Sequence, residues 1–147
     1  SSLGAVVIYP PVAAHPCDPL VIGYSKLSGT VFPIGDTTVF TTFTNRVGYS
    51  YGCSFNVHVK GAVEQIGDLI AKVNTLTQMK AATRHHLVVK LEAALKAVNS
   101  GHTPTACHEM TDFIHAINAE KEKQLAPASI ADLIVSGARI KVVLGCP

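Results

Sequence analysis

Between Ala5 and Val59 the apolar residues come in short β-branched or alternating runs. Beyond Gly61 they recur every third or fourth position. These two periods belong to strands and helices respectively. In the first stretch, Ala5-Val6-Val7-Ile8-Tyr9 predicts a strand stopped by Pro10-Pro11, because proline has no N–H to give a ladder. Leu20 to Ser25 predicts a second, and Val39 to Thr44 a third. Phe32-Pro33-Ile34-Gly35-Asp36 and Asn45-Arg46-Val47-Gly48 read as turns, since proline presets φ and glycine accepts a positive one. From Cys53 to Val59 the alternation puts Phe55, Val57 and Val59 on one face and Ser54, Asn56 and His58 on the other.

The second stretch predicts four amphipathic helices. Their stripes are Ile66/Leu69/Ile70/Val73/Leu76, Leu87/Leu91/Ala94/Leu95/Val98, Cys107/Met110/Ile114/Ile117 with Phe113 beside them, and Ile130/Leu133/Ile134/Gly137/Ile140/Leu144. Asn99-Ser100-Gly101 closes the second helix, Thr103-Pro104 opens the third and Pro127 opens the fourth. Short joins between such helices imply an antiparallel bundle.

Composition sharpens the division. Eight of the nine aromatic residues precede residue 60, and only Phe113 follows it. Strand formers are thus separated from helix formers, and the expected organisation is a β-sandwich domain over residues 1–60 and a four-helix domain over 61–147. Net charge is +2, shared between the halves with both signs interspersed, so no basic face for nucleic acid is expected. No apolar run reaches the length of a membrane span. The start at Ser1-Ser2 suits a mature or trimmed product.

Four cysteines, Cys17, Cys53, Cys107 and Cys146, allow three pairings. Only one keeps both bridges within domains. Bridges 17–53 and 107–146 would each close a loop of about three dozen residues. Small domains stapled in this way belong outside the reducing cytosol. A secreted or cell-surface location is therefore expected.

The succession Gly29-Thr30-Val31-Phe32-Pro33-Ile34-Gly35-Asp36, then Asn45-Arg46-Val47-Gly48, then Cys53-Ser54-Phe55-Asn56-Val57 resembles the hyalin repeat (HYR) module over about residues 4–60. The resemblance implies an immunoglobulin-like β-sandwich of extracellular, adhesion-associated proteins. It also implies a strand ahead of Ala5 that the family has and this chain does not supply. The edge formed by Ala5, Val6, Val7, Ile8 and Tyr9 would then be open to a strand from another chain. Asp68-Leu69-Ile70, Leu91-Glu92-Ala93-Ala94-Leu95, Ala106-Cys107, Phe113 to Ala119 and Ala131-Asp132-Leu133-Ile134 with Leu144-Gly145-Cys146 resemble the FIMAH-type helical domain over about residues 63–146. Such domains imply a non-catalytic accessory role in secreted bacterial proteins.

Catalytic chemistry finds little footing. There is no Gly-x-Ser-x-Gly elbow and no glycine-rich phosphate loop, and Cys107 and His108 are adjacent and so diverge on a helix. His108, Asp112 and His115 stand at i, i+4 and i+7 on the third helix and could ligate a metal together. A three-residue stripe without a supporting shell is more often a solvated face opposite the apolar stripe, so neither metal nor other cofactor is expected. The expected function is a non-catalytic extracellular structural or adhesion protein acting through protein–protein contacts, with either a protein partner or self-association by β-strand addition into a surface or filament assembly. The alternative is an accessory module of a secreted hydrolase, with a spacing or glycan-contact role.

Overall fold

The computed structural model describes residues 3–11, 21–119 and 126–147. Strands β1 (Ala5–Val7), β2 (Val21–Tyr24), β3 (Thr30–Phe32), β4 (Gly35–Thr44) and β5 (Ser50–Val59) precede helices α1 (Ala62–Asn74), α2 (Ala81–Asn99), α3 (Thr103–Ala119) and α4 (Pro127–Leu144). The chain divides into two compact units, Leu3–Val59 and Lys60–Pro147.

The immunoglobulin-like sandwich is not what the first unit forms. Its described residues make a two-stranded antiparallel sheet, β1–β3, and a three-stranded one, β2–β4–β5. The local cause is strand length. Pro10-Pro11 follow close on β1 and Pro33 stops β3, so each has three residues, too few to build one full layer of a sandwich. Only β4 and β5 are long, paired in one register from Gly35↔Val59 to Thr44↔Ser50. Their turn is held by Asn45, whose side-chain oxygen accepts from the N–H groups of Val47 and Tyr49. Thr30–Phe32, which the sequence suggests only as the approach to a turn, is a strand because Ala5–Val7 pairs with it.

The core of this unit is small: Phe32, Val39 and Val59, with Val7, Tyr9, Tyr24, Phe55 and Val57 packed around them. The inward set on β5 is the one its alternation predicts. Thr41 is also fully buried. Its hydroxyl lies 3.1 Å from the Cys53 carbonyl, to which it donates, and 2.9 Å from the Cys53 Sγ.

In the second unit each helix packs on the next, and α4 returns to α1. The buried stripes are Ile66/Leu69/Val73, Leu87/Leu91/Ala94, Met110/Phe113/Ile117 and Ile130/Leu133/Ile140, which together form one core. Met79 joins them from the α1–α2 connection. Arg84 ties that connection down by donating to the carbonyls of Leu76 and Met79. The carboxylate of Glu64 reaches back to accept from the Gly61 N–H at 3.2 Å, closing the first turn of α1.

Glycine sets the ends of α2 and α4, at Gly101 and Gly145. After α4, Gly145 takes φ 76°, and the N–H groups of Gly145 and Cys146 return to the carbonyls of Val142 and Lys141. This is a Schellman closure, which needs the left-handed conformation that glycine adopts without strain. It turns Cys146 back toward α3, where it is bonded to Cys107 with the Cα atoms 5.6 Å apart. The beginning of α3 therefore meets the end of α4, so the two helices run antiparallel.

Candidate functional site

The edge strand comes first. In an antiparallel ladder the N–H and C=O of one residue point to the same side, and successive residues alternate. The Val7 carbonyl accepts from the Gly29 N–H at 2.8 Å. The Tyr9 N–H donates to Ser28 Oγ, and the same hydroxyl donates to the Tyr9 carbonyl, both at 3.0 Å. Val7 and Tyr9 are thus tied inward, toward the β3 side. Alternation turns the backbone groups of Val6 and Ile8 to the opposite side, where no described strand pairs with them. Both side chains are exposed, Val6 at 61% and Ile8 at 83%.

Tyr9 anchors this strand. Its ring packs edge-on to Phe32 and Phe55 and tilted on Tyr24, and its hydroxyl donates to the Lys26 carbonyl. Burial, helped by Tyr24, raises the Tyr9 phenol above its ordinary value, with a bond from Ser28 opposing. The five residues expected at the edge therefore do not act alike: Val7 and Tyr9 hold the strand in place, while Val6 and Ile8 face outward.

On the three-stranded sheet, Phe40 points away from the core while Val39, Thr41 and Phe43 point into the unit. Val21, Tyr49 and Tyr51 are exposed as well, with Tyr51 stacked on Phe43 at 5.0 Å between ring centres.

Of the four cysteines, Cys107 and Cys146 are joined. Cys53 is exposed on β5 opposite Thr41, and Cys17, its expected partner, lies outside the described residues.

The polar stripe of α3 is organised by a residue from another helix. Lys90 on α2 places its ammonium 3.0 Å from Asp112 Oδ2 and 3.5 Å from Glu109 Oε2. His108 Nε2 stands 3.7 Å from the same Asp112 oxygen, and no hydrogen bond or ion pair joins His115 to Asp112. The hydrogen bond from Lys90 holds the Asp112 carboxyl below the usual carboxylate range against a smaller, opposing effect of burial. His108 and Asp112 are thus brought together, but the carboxylate a metal would need is already engaged by a cation. Among the described residues no group of three or more His, Cys, Asp or Glu is arranged to hold a metal. Lys90 carried one signal in the sequence: it lies beside Leu87 and Leu91, at the border of the buried stripe.

No family model matches this chain, and neither a curated protein nor a solved structure is detectably similar to it. No helix among the described residues is long and apolar enough to cross a membrane.

Proposed function

We propose that this chain is a non-catalytic contact protein of the extracellular or cell-surface space, self-associating by addition of a strand to the β1 edge. The observation that carries the reading is the outward-facing pair Val6 and Ile8, whose backbone groups no described strand takes up and whose side chains are exposed. Natural edges are blunted by lysine, inward charge or a bulge. Residues 3–9 carry no charge, and proline enters only at Pro10. A second copy offering the same strand antiparallel would satisfy both sets of groups symmetrically. The Cys107–Cys146 bond suits an oxidising compartment, in keeping with this location.

The test is multi-angle light scattering across a concentration series, on the wild type and on Val6→Pro. The wild type is expected to form larger species as concentration rises. Val6→Pro, which removes an outward donor, should remain monomeric with unchanged helical circular dichroism. A wild type that stays monomeric throughout excludes strand addition, as does a Val6→Pro variant that still assembles.

A further inference from the structure

The helical unit carries a cleft of about 160 Å³ between α1 and α4. On the same measure a single water needs only about 10–15 Å³, so the space admits a considerably larger group. Leu69 and Ile140 form an apolar floor; both belong to the buried core. Gln65, Asp68 and Lys72 line one wall from α1, and Ser136 and Arg139 the other from α4. The i, i+3, i+7 spacing on α1 and the i, i+3 spacing on α4 bring these residues to the two facing rims.

The hydrogen-bonding capacity left in the cleft is uneven. Lys72 is paired with Asp132, and Asp68 Oδ2 takes the Lys60 ammonium at 2.6 Å, leaving Asp68 Oδ1 as an acceptor. Gln65 donates its amide N–H to the Lys60 carbonyl, so its side-chain oxygen remains available. Ser136 donates its hydroxyl to the Asp132 carbonyl and keeps its lone pairs. Arg139 pairs with no carboxylate among the described residues. The cleft therefore presents one uncompensated guanidinium fork, three unused acceptors and an apolar floor.

We infer that this cleft binds a carboxylate-bearing sugar, a hexuronate. The guanidinium fork matches one planar carboxylate through two parallel hydrogen bonds. The acceptors on Asp68, Gln65 and Ser136 match sugar hydroxyls, which donate, and the floor suits the C–H face of a pyranose ring. A sulfate or phosphate-monoester dianion fits less well, because its charged group brings the Asp68 carboxylate no donor and carries twice the negative charge of a carboxylate. The inference concerns the helical unit alone and does not depend on strand addition.

The experiment is isothermal titration calorimetry of the full chain with trigalacturonate, with maltotriose and sodium acetate as comparison ligands. Trigalacturonate is expected to bind saturably and more weakly as salt rises, with maltotriose giving no heat and acetate binding at least about tenfold more weakly. Arg139→Gln should lose about tenfold or more in affinity, and Arg139→Lys, which keeps the charge without the fork, should lose less. Arg139 is exposed, so neither change is expected to disturb the fold; unchanged thermal melting verifies this. Absence of trigalacturonate binding overturns the inference. So does maltotriose or acetate binding as tightly, or an Arg139→Gln variant that binds like the wild type.

Discussion

The ammonium of Lys90 on α2 sits 3.0 Å from Oδ2 of Asp112 on α3, so a cation from one helix occupies the carboxylate of the next. Its pH dependence follows from two opposite displacements. The Asp112 carboxyl is held below its ordinary value and the Lys90 ammonium above its own, each chiefly by their mutual hydrogen bond. The Asp112 contribution is complete above the unfolded carboxylate value of about 3.9, and disappears as pH falls through the lower folded-state value. The Lys90 contribution is complete below about 10.4 and disappears as pH rises through its higher folded-state value. Lys90→Met should therefore lower Tm at neutral pH, and the deficit should shrink once Asp112 is protonated. Thermal melts followed by circular dichroism in strongly acidic and neutral buffers measure this, and a deficit independent of pH would refute the ion-pair account.

The same engagement bears on metal. Added zinc is expected to leave Tm unchanged in the wild type. A zinc-dependent rise that His108→Ala abolishes would restore the metal reading of His108, Asp112 and His115.

The Cys107–Cys146 bond spans a sequence separation of 39 residues. A closed loop of that length restricts the unfolded chain by about 4 kcal/mol in the chain-entropy treatment. The double variant Cys107→Ser/Cys146→Ser should lose stability of that order in urea unfolding of the helical signal. Addition of a reductant should change the wild type but not the variant.

Gly137 sits where α4 presses on α3: a Cβ there would lie 3.1 Å from Ile114 Cγ1 and 3.5 Å from Phe113 Cδ1. Alanine gains up to about 1 kcal/mol of helix propensity but must push the Ile114 side chain by a few tenths of an ångström, so Gly137→Ala is expected to be near neutral. Gly137→Val adds volume that a packed interface cannot take up, and should cost about 1–3 kcal/mol. Urea midpoints of the two variants separate these outcomes.

Phe113 is fully buried in the helical core, whereas Phe40 is 61% exposed on β4. Phe113→Ala should cost about 3–5 kcal/mol through lost burial and the cavity it leaves. Phe40→Ser should change stability by no more than about 0.5 kcal/mol, as surface substitutions do. Both are read from chemical denaturation, with the helical and strand signals followed separately.

Much of the helical unit was legible in the residues. The three- and four-residue spacing marked Ile66, Leu69, Val73, Leu87, Leu91, Met110, Ile117, Ile130, Leu133 and Ile140, which are buried. It also marked Ile70, Leu76, Leu95, Val98, Cys107, Ile114, Ile134 and Leu144, which are only half-buried, while Phe113, beside its stripe, is fully buried. Met79 was not legible, because it enters the core from a connection where no period exists to mark it. The β unit was legible only along its long strands. The alternation of Phe55, Val57 and Val59 showed which face of β5 turns inward, but β1 and β3, with three residues each, are too short to display a period. Their separation as a two-stranded sheet is a matter of pairing, and the sandwich expected from the module resemblance did not follow.

The candidate sites divide in the same way. The sequence marked Ala5 to Tyr9 as a strand and His108, Asp112 and His115 as one helix face, because both follow from the repeat of the backbone itself. Only the tertiary structure showed that Ser28 and Gly29 tie Val7 and Tyr9 inward and leave Val6 and Ile8 outward. It alone brought Lys90 to Asp112 and set Arg139 across from Gln65 and Asp68. Periodicity records the geometry of one element. Which charge meets which carboxylate depends on how elements approach, and that is decided when the core packs.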